Sequence, residues 1–243
     1  MKVIPVIDVL KNLAVHAVRG ERAKYQPLRS VLCPSANPIE VASTFRSLGF
    51  DELYMADLDA IAGREPNLRL YRRVNDLTGL RLMVDAGVNT VEAVEKILGS
   101  SVSNVIIGTE TLNDVNLVGE VVNHFGRDRV IVSLDLKGGR ILSPSEALKS
   151  LSPARLVERL AEMGVRRVIV LDLLRVGTEG GINLKVVKEI LEETPVEVLT
   201  GGGVRSIEDL EELREIGVSA DLVATALHKG RIRVEDLKIR GFL

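Results

Sequence analysis

Val196-Glu197-Val198-Leu199-Thr200-Gly201-Gly202-Gly203-Val204-Arg205-Ser206 reads as a short apolar strand, a glycine turn and the start of a new helix. Ser206 is the expected N-cap, and Asp209 follows three residues later, close to a capping-box pattern. Glycine lets the backbone approach a ligand closely and take φ > 0. A helix N-terminus behind it adds free N–H groups and the positive end of a dipole. The turn therefore reads as an anion site, most often for phosphate. A tight strand-to-helix turn without a ligand is the other reading of a glycine run.

The same pattern occurs earlier in the chain. Leu82-Met83-Val84-Asp85-Ala86-Gly87-Val88-Asn89 has the same strand, turn and helix start, with Gly87 lying 116 residues before Gly203. Asp57 recurs as Asp172, 115 residues on, in matching apolar runs, and Ile107-Gly108-Thr109 recurs as Val223-Ala224-Thr225 at a displacement of 116. Ile7-Asp8-Val9 is echoed by Leu134-Asp135-Leu136, 127 residues on, so the first half carries a longer first connection. Such self-similarity marks a chain made of two repeated halves, about 1–126 and 127–243.

Each half alternates apolar strand-like runs with amphipathic helical segments. The runs end at Asp8, Asp57, Val84, Gly108, Asp135, Asp172, Thr200 and Thr225. Continuous apolar runs suit parallel strands buried on both faces. Eight strand–helix units in 243 residues predict an α/β fold, a (β/α)8 TIM barrel built from two (β/α)4 halves. An open doubly wound sheet accommodates a four-plus-four repeat less naturally. No linker rich in Gly, Pro or Ser interrupts the pattern, so residues 1–243 read as a single domain.

Composition excludes several classes of function. A net charge of −2 argues against nucleic-acid or anionic-membrane partners. The single cysteine, Cys33, cannot form an internal disulfide and fits a reducing compartment. No signal peptide or membrane-spanning run is present, so a cytoplasmic location is expected, as a monomer or small homo-oligomer. The three histidines, His16, His124 and His228, are scattered and give no zinc spacing, and no metal or other cofactor is expected.

In a barrel of this kind chemistry sits at the C-terminal strand ends. Asp8 and Asp135 are related by the repeat and are expected to face each other across the mouth. Two carboxylates flanking a substrate suit acid–base work, one taking a proton and one giving it. The alternative is a pair of structural salt bridges to Lys11 and Lys137. Asp57 and Asp172 are further substrate-contact candidates, although hydrogen bonding to loop backbone explains them equally well. One phosphate site is expected at Gly201, Gly202, Gly203, Ala224 and Thr225. A second possible site comprises Asp85, Ala86, Gly87, Gly108 and Thr109. There the Asp85 carboxylate would repel phosphate, so a hydroxyl, an amine or a ring becomes the alternative. The long connection spanning 11–34 reads as a functional or mobile loop that can close His16 and Arg19 over a ligand, although a solvated position explains His16 equally well, and Arg22 and Lys24 read as solvated. Thr178 is another candidate contact. His124 and His228 read as surface residues.

Taken together, 4–8, 56–60, 106–109, 201–206 and the turn Gly177-Thr178-Glu179-Gly180-Gly181-Ile182-Asn183 resemble the HisA/HisF half-barrel family of histidine biosynthesis, over essentially the whole chain. That resemblance implies a (β/α)8 barrel, a phosphorylated sugar-like substrate, and neither metal nor redox cofactor. For the isomerase branch (ProFAR isomerase) it implies an Amadori aldose-to-ketose rearrangement, with Asp8 as base and Asp135 as acid. The chain departs from that branch at several points. Asp85-Ala86-Gly87-Val88-Asn89 replaces three glycines and an arginine, Leu171 replaces a threonine, and Val176 replaces an acid. No tryptophan follows Asp135, and His16 stands where arginine is usual. The closest likeness is therefore to the HisA-related proteins of archaea and methylotrophs. The implied function is an isomerase or related lyase of altered specificity. A non-catalytic phosphate-ligand binder or partner scaffold and a true ProFAR isomerase are the alternatives.

Overall fold

The computed structural model describes residues 1–178 and 180–243; Glu179, part of the quoted turn motif, lies outside the described residues. The barrel strands are β1 (Lys2–Leu10), β2 (Glu52–Asp57), β3 (Arg81–Asp85) and β4 (Asn104–Gly108), then β5 (Val130–Lys137), β6 (Arg167–Asp172), β7 (Glu197–Gly201) and β8 (Ala220–Val223). Neighbours pair in parallel in chain order, and β8 closes onto β1 with Lys2 opposite Ala220 and Pro5 opposite Val223. The expected (β/α)8 barrel is the fold.

Closure leaves each strand residue two directions. Ile4, Val6, Met83, Ile106, Ile131, Ile169 and Leu199 fill the barrel interior. Their neighbours Val3, Leu82, Val105, Val130, Val168 and Val198 pack outward against the helices. Branched residues suit both sides of a pleated surface. The main helices are α1 (Pro38–Leu48), α2 (Leu68–Thr78), α3 (Val91–Leu98), α4 (Asn116–Phe125), α5 (Pro153–Glu162), α6 (Leu184–Glu193), α7 (Ile207–Glu215) and α8 (Val234–Ile239). Side chains written into the sequence start several of them. Asn37 Oδ1 accepts from Ile39 N–H at 2.9 Å at the head of α1, and Ser152 and Thr90 cap α5 and α3 in the same way.

The ends of β1, β5 and β8 differ from expectation. β1 and β5 continue past Asp8 and Asp135 into antiparallel hairpins, with Leu13–His16 folding back on β1 and Arg140–Ile141 on β5. The stretch read as an open loop thus carries Leu13–His16, a 3₁₀ turn at Arg22–Lys24 and a short strand at Gln26–Pro27. β8 stops at Val223, and Thr225 already opens a one-turn helix, Thr225–His228. Cys33 is buried in the outer core. No helix among the described residues is long and apolar enough to cross a membrane.

Asp57 ties β2 to α2. Its carboxylate accepts from Ala60 N–H at 3.1 Å, from Asn67 N–H at 2.9 Å and from the buried Tyr71 hydroxyl. Tyr71→Phe removes one bond to a buried charged group and is expected to cost about 1–3 kcal/mol. Urea denaturation measures this loss, and ligand affinity should not change, because Asp57 lies behind the barrel wall.

Candidate active site

The C-terminal strand ends open into a cavity of about 270 Å³. Strand alternation decides which acids face it. Asp8 shares the inward parity of Ile4 and Val6, Asp85 that of Met83, and Asp135 that of Ile131; all three line the cavity. Asp57 and Asp172 carry the opposite parity, in line with Met55 and Val170 of the outer core. Neither lines the cavity. Asp172 accepts from Leu174 N–H at 3.2 Å and pairs with Arg175 at 3.4 Å in an adjoining cleft. The structure therefore puts these two sequence candidates in loop-holding positions.

At the second-half end, Gly201, Gly202, Gly203, Ala224 and Thr225 all line the cavity. Gly203 has φ +101°, and a Cβ there would stand 2.2 Å from the Gly181 carbonyl oxygen, so only glycine fits. The helix facing the cavity is not the expected one. In α7 the Asp209 carboxylate already accepts from Arg205 N–H at 2.8 Å and from its guanidinium at 2.9 and 2.7 Å, while Ser206 makes no side-chain cap bond. A protein carboxylate thus fills that helix start. The one-turn helix Thr225–His228 begins at the cavity wall instead. Its first N–H groups have no intrahelical acceptor. Loops after strands seven and eight with a short extra helix are a recurring phosphate site in this fold.

The first-half end is built differently. Asp85 and Glu110 line the cavity, whereas Ala86, Gly87, Gly108 and Thr109 do not. Gly87 N–H donates to Asp85 Oδ1 at 3.1 Å, and Glu110 N–H donates to Asp135 Oδ2 at 3.0 Å. The buried Thr109 hydroxyl accepts from Asp135 N–H at 2.9 Å, so it holds β5 in place. A Cβ on Gly108 would lie 2.9 Å from Asp135 Oδ2 and 3.5 Å from Asp85 Oδ2. Glycine at that position makes room for two protein carboxyls.

Burial raises all three inward acids, Asp8 and Asp85 to about 7 and Asp135 to about 8. Asp85 raises both of the others by like-charge repulsion. Asp8 is held down by the Arg22 guanidinium, whereas Asp135 has Glu110 as a second acidic neighbour. Ser133 Oγ donates to Asp135 Oδ1 at 2.9 Å, and the Tyr54 hydroxyl to Asp85 Oδ2 at 3.3 Å.

His16, Arg19 and Thr178 line the cavity, with burial and Lys229 lowering the pKa of His16. Arg22, read from sequence as solvated, reaches inward and bonds Glu110 Oε1 at 2.5 Å. His228, read as a surface residue, is 4% exposed, with Nδ1 2.9 Å from Ser30 Oγ; burial lowers it to about 4 and keeps it neutral. His124 is exposed. Sequence reading also passed over Tyr25, Tyr54 and Glu110. Tyr54 had a signal, as a hydroxyl two residues before Ala56 on an otherwise apolar inward face. Among the described residues no group of three or more His, Cys, Asp or Glu side chains is arranged to hold a metal ion.

Fold and site together define a (β/α)8 barrel with paired acids in its mouth and a glycine-rich turn at one side. A family model described as histidine biosynthesis protein matches residues 2–233, and the chain belongs to that family. A protein of Methanocaldococcus jannaschii, named only as uncharacterized, is 38% identical, over 98% of this chain and 97% of its own. A protein of Thermus thermophilus named 1-(5-phosphoribosyl)-5-((5-phosphoribosylamino)methylideneamino) imidazole-4-carboxamide isomerase, or ProFAR isomerase, is 32% identical over 99% of this chain and 100% of its own. The identically named protein of Streptococcus thermophilus is also 32% identical, with the same coverage.

Carboxyl ¹³C titration tests the electrostatics. Asp8 and Asp85 should titrate near 7 and Asp135 near 8, against an ordinary value of about 4. Arg22→Ala removes the cation that favours ionised Asp8, so the Asp8 midpoint should move up. A downward shift or none would contradict the geometry.

Proposed function

We propose that this protein is an acid–base isomerase of a phosphorylated, sugar-like metabolite, working in the cytoplasm. It holds one phosphate at Gly201, Gly202, Gly203, Ala224 and Thr225. The observation that carries the reading is the pair of inward acids, Asp8 and Asp135, in unlike surroundings within one cavity. Full-length relatives named as isomerases support the reaction class.

An aldose-to-ketose shift opens the sugar ring with a proton on the ring oxygen and removes a proton from the carbon next to the anomeric centre; the resulting enol becomes the ketone as its hydroxyl gives up a proton and the former anomeric carbon gains one. The group that keeps its proton longer suits the first task. Asp135 does so, being buried among acids with Glu110 and Asp85 beside it. Asp8 suits the second, because Arg22 favours its charged form. The printed name of the Thermus relative carries two phosphoribosyl groups. Here the two ends of the cavity are unequal, and only the second-half end offers a glycine turn without an acid. A single phosphate follows.

The pH profile provides one test. kcat/KM should fall below about 7, as Asp8 takes up a proton, and above about 8, as Asp135 loses its own. Substrate identity is tested by offering the purified protein ProFAR alongside aldose monophosphates, with Asp8→Asn as control. Turnover of a monophosphate, reduced about a hundredfold or more in the variant, is the expected outcome. ProFAR turnover lost in the same variant would instead make this a working ProFAR isomerase. Turnover unchanged in folded Asp8→Asn would overturn the catalytic assignment.

A further inference from the structure

Among the described residues a single buried side-chain oxygen lacks a hydrogen-bond partner, Oδ2 of Asp221 on β8. The residue is fully shielded from solvent. It shares the outward parity of Val223 in the outer core and does not line the cavity. Its other oxygen, Oδ1, stands 2.5 Å from the hydroxyl of Thr200, the residue directly opposite on β7.

The surroundings decide its charge state. On the β1 side Val3 stands opposite Asp221, and Lys2 beside it is paired with Glu52. On α7 the charged neighbour is Asp209, a carboxylate engaged by Arg205. The charge that bears on Asp221 among the described residues is thus an acid and not a cation. A carboxylate buried with one bare oxygen and a second carboxylate nearby is costly, far more so than the neutral acid. In the acid form the short contact to Thr200 can carry the carboxyl proton, which leaves Oδ2 as an uncharged carbonyl oxygen. Burial pushes Asp221 up to about 8; the Thr200 bond opposes the rise and Asp209 adds to it.

This contact lies directly beneath the glycine end of the cavity. Thr200 is followed at once by Gly201, Gly202 and Gly203, and Asp221 leads through Leu222 and Val223 to Ala224 and Thr225. One side-chain bond therefore ties together the two strands whose turns line the cavity there. An ionised Asp221 would repel the Asp209 carboxylate through a dry layer, where like charges interact strongly, and would force β8 and α7 apart.

We infer that Asp221 is carried as the neutral acid and is a positioning residue of the glycine end, holding its two turns in register until ionisation releases them. The link to ligand binding rests on the reading of that end as the phosphate site. Asp221 itself touches no substrate.

Two measurements on the wild type and on Asp221→Asn, an uncharged isostere, test the inference. The first is urea unfolding between about pH 5 and 7. A carboxyl that is neutral when folded and ionised when unfolded stabilises less as pH rises, so the wild-type unfolding constant should climb about tenfold per pH unit relative to the variant. The second is calorimetry with sulfate, a tetrahedral dianion throughout the range. With the neutral form alone competent to bind, wild-type affinity should fall about tenfold more than that of the variant between pH 7 and 9. Asp8, Asp85 and Asp135 titrate in both proteins and cancel in the comparison. Stability curves that run parallel, or sulfate affinities that fall in parallel, overturn the inference. Sulfate bound by neither protein at pH 7 is the separate failure of the phosphate reading; it removes the positioning role, and the unfolding curves still decide the neutral acid. Should the variant not fold, the wild-type carboxyl ¹³C signal of Asp221 decides: a neutral acid at pH 7 is expected, and a carboxylate overturns the inference.

Discussion

A side chain on a closed parallel barrel has two places to go, inward to the barrel axis or outward to the helices, and the function of every acid in this chain depends on which it takes. Asp8, Asp85 and Asp135 go inward and meet in a confined space with Arg22 and Glu110 at its edge. Asp57 and Asp172 lie on strands of the same barrel, turn outward, and spend their oxygens on loop backbone, Tyr71 and Arg175. One step of strand register separates a candidate catalytic group from a structural one. The hairpin extensions of β1 and β5 hold Asp8 and Asp135 in place, because both sit within paired strand, whereas Asp85 ends β3 and is held by Gly87 N–H.

Three carboxyls in one buried cavity are costly to ionise together, and this sets the electrostatics of the site. Burial raises each of them, and the unequal neighbours separate them. Arg22 biases Asp8 toward the charged form, whereas Asp135 lies among other acids. The sequence repeat relates Asp8 to Asp135, and the surrounding residues make the two unequal. The same asymmetry recurs at the turns. The second half keeps glycine and alanine backbone at the cavity wall, and the first half places Asp85 and Glu110 there.

Much of this was legible in the sequence, for reasons that can be traced. The repeated strand–turn–helix pattern carried the fold, because a buried parallel strand and a glycine turn leave signals within a few residues. The displacement of Asp8 to Asp135 made those two acids a pair before any coordinates. The direction of Asp57 and Asp172 was not legible, since both faces of a barrel strand are apolar and alternation leaves no polar mark. The Arg22–Glu110 contact joins residues 88 apart through folding alone. Ser206 does stand at the N-cap of α7, as its sequence context indicated, but without a side-chain cap bond, and what the sequence did not show is that Asp209 and Arg205 close that terminus on each other. His228 looked solvated because the segment that covers it, around Ser30, comes from the opposite end of the chain.

The central claim is that the two ends of the cavity are chemically opposite, one made to receive an anion and the other already filled with the protein's own. A crystal structure of the protein soaked with inorganic phosphate addresses it most directly. The account predicts phosphate on the backbone N–H groups around Gly202, Gly203 and Thr225, and none beside Gly87. Phosphate bound beside Gly87 with Asp85 displaced, or equal occupancy at both ends, would contradict it.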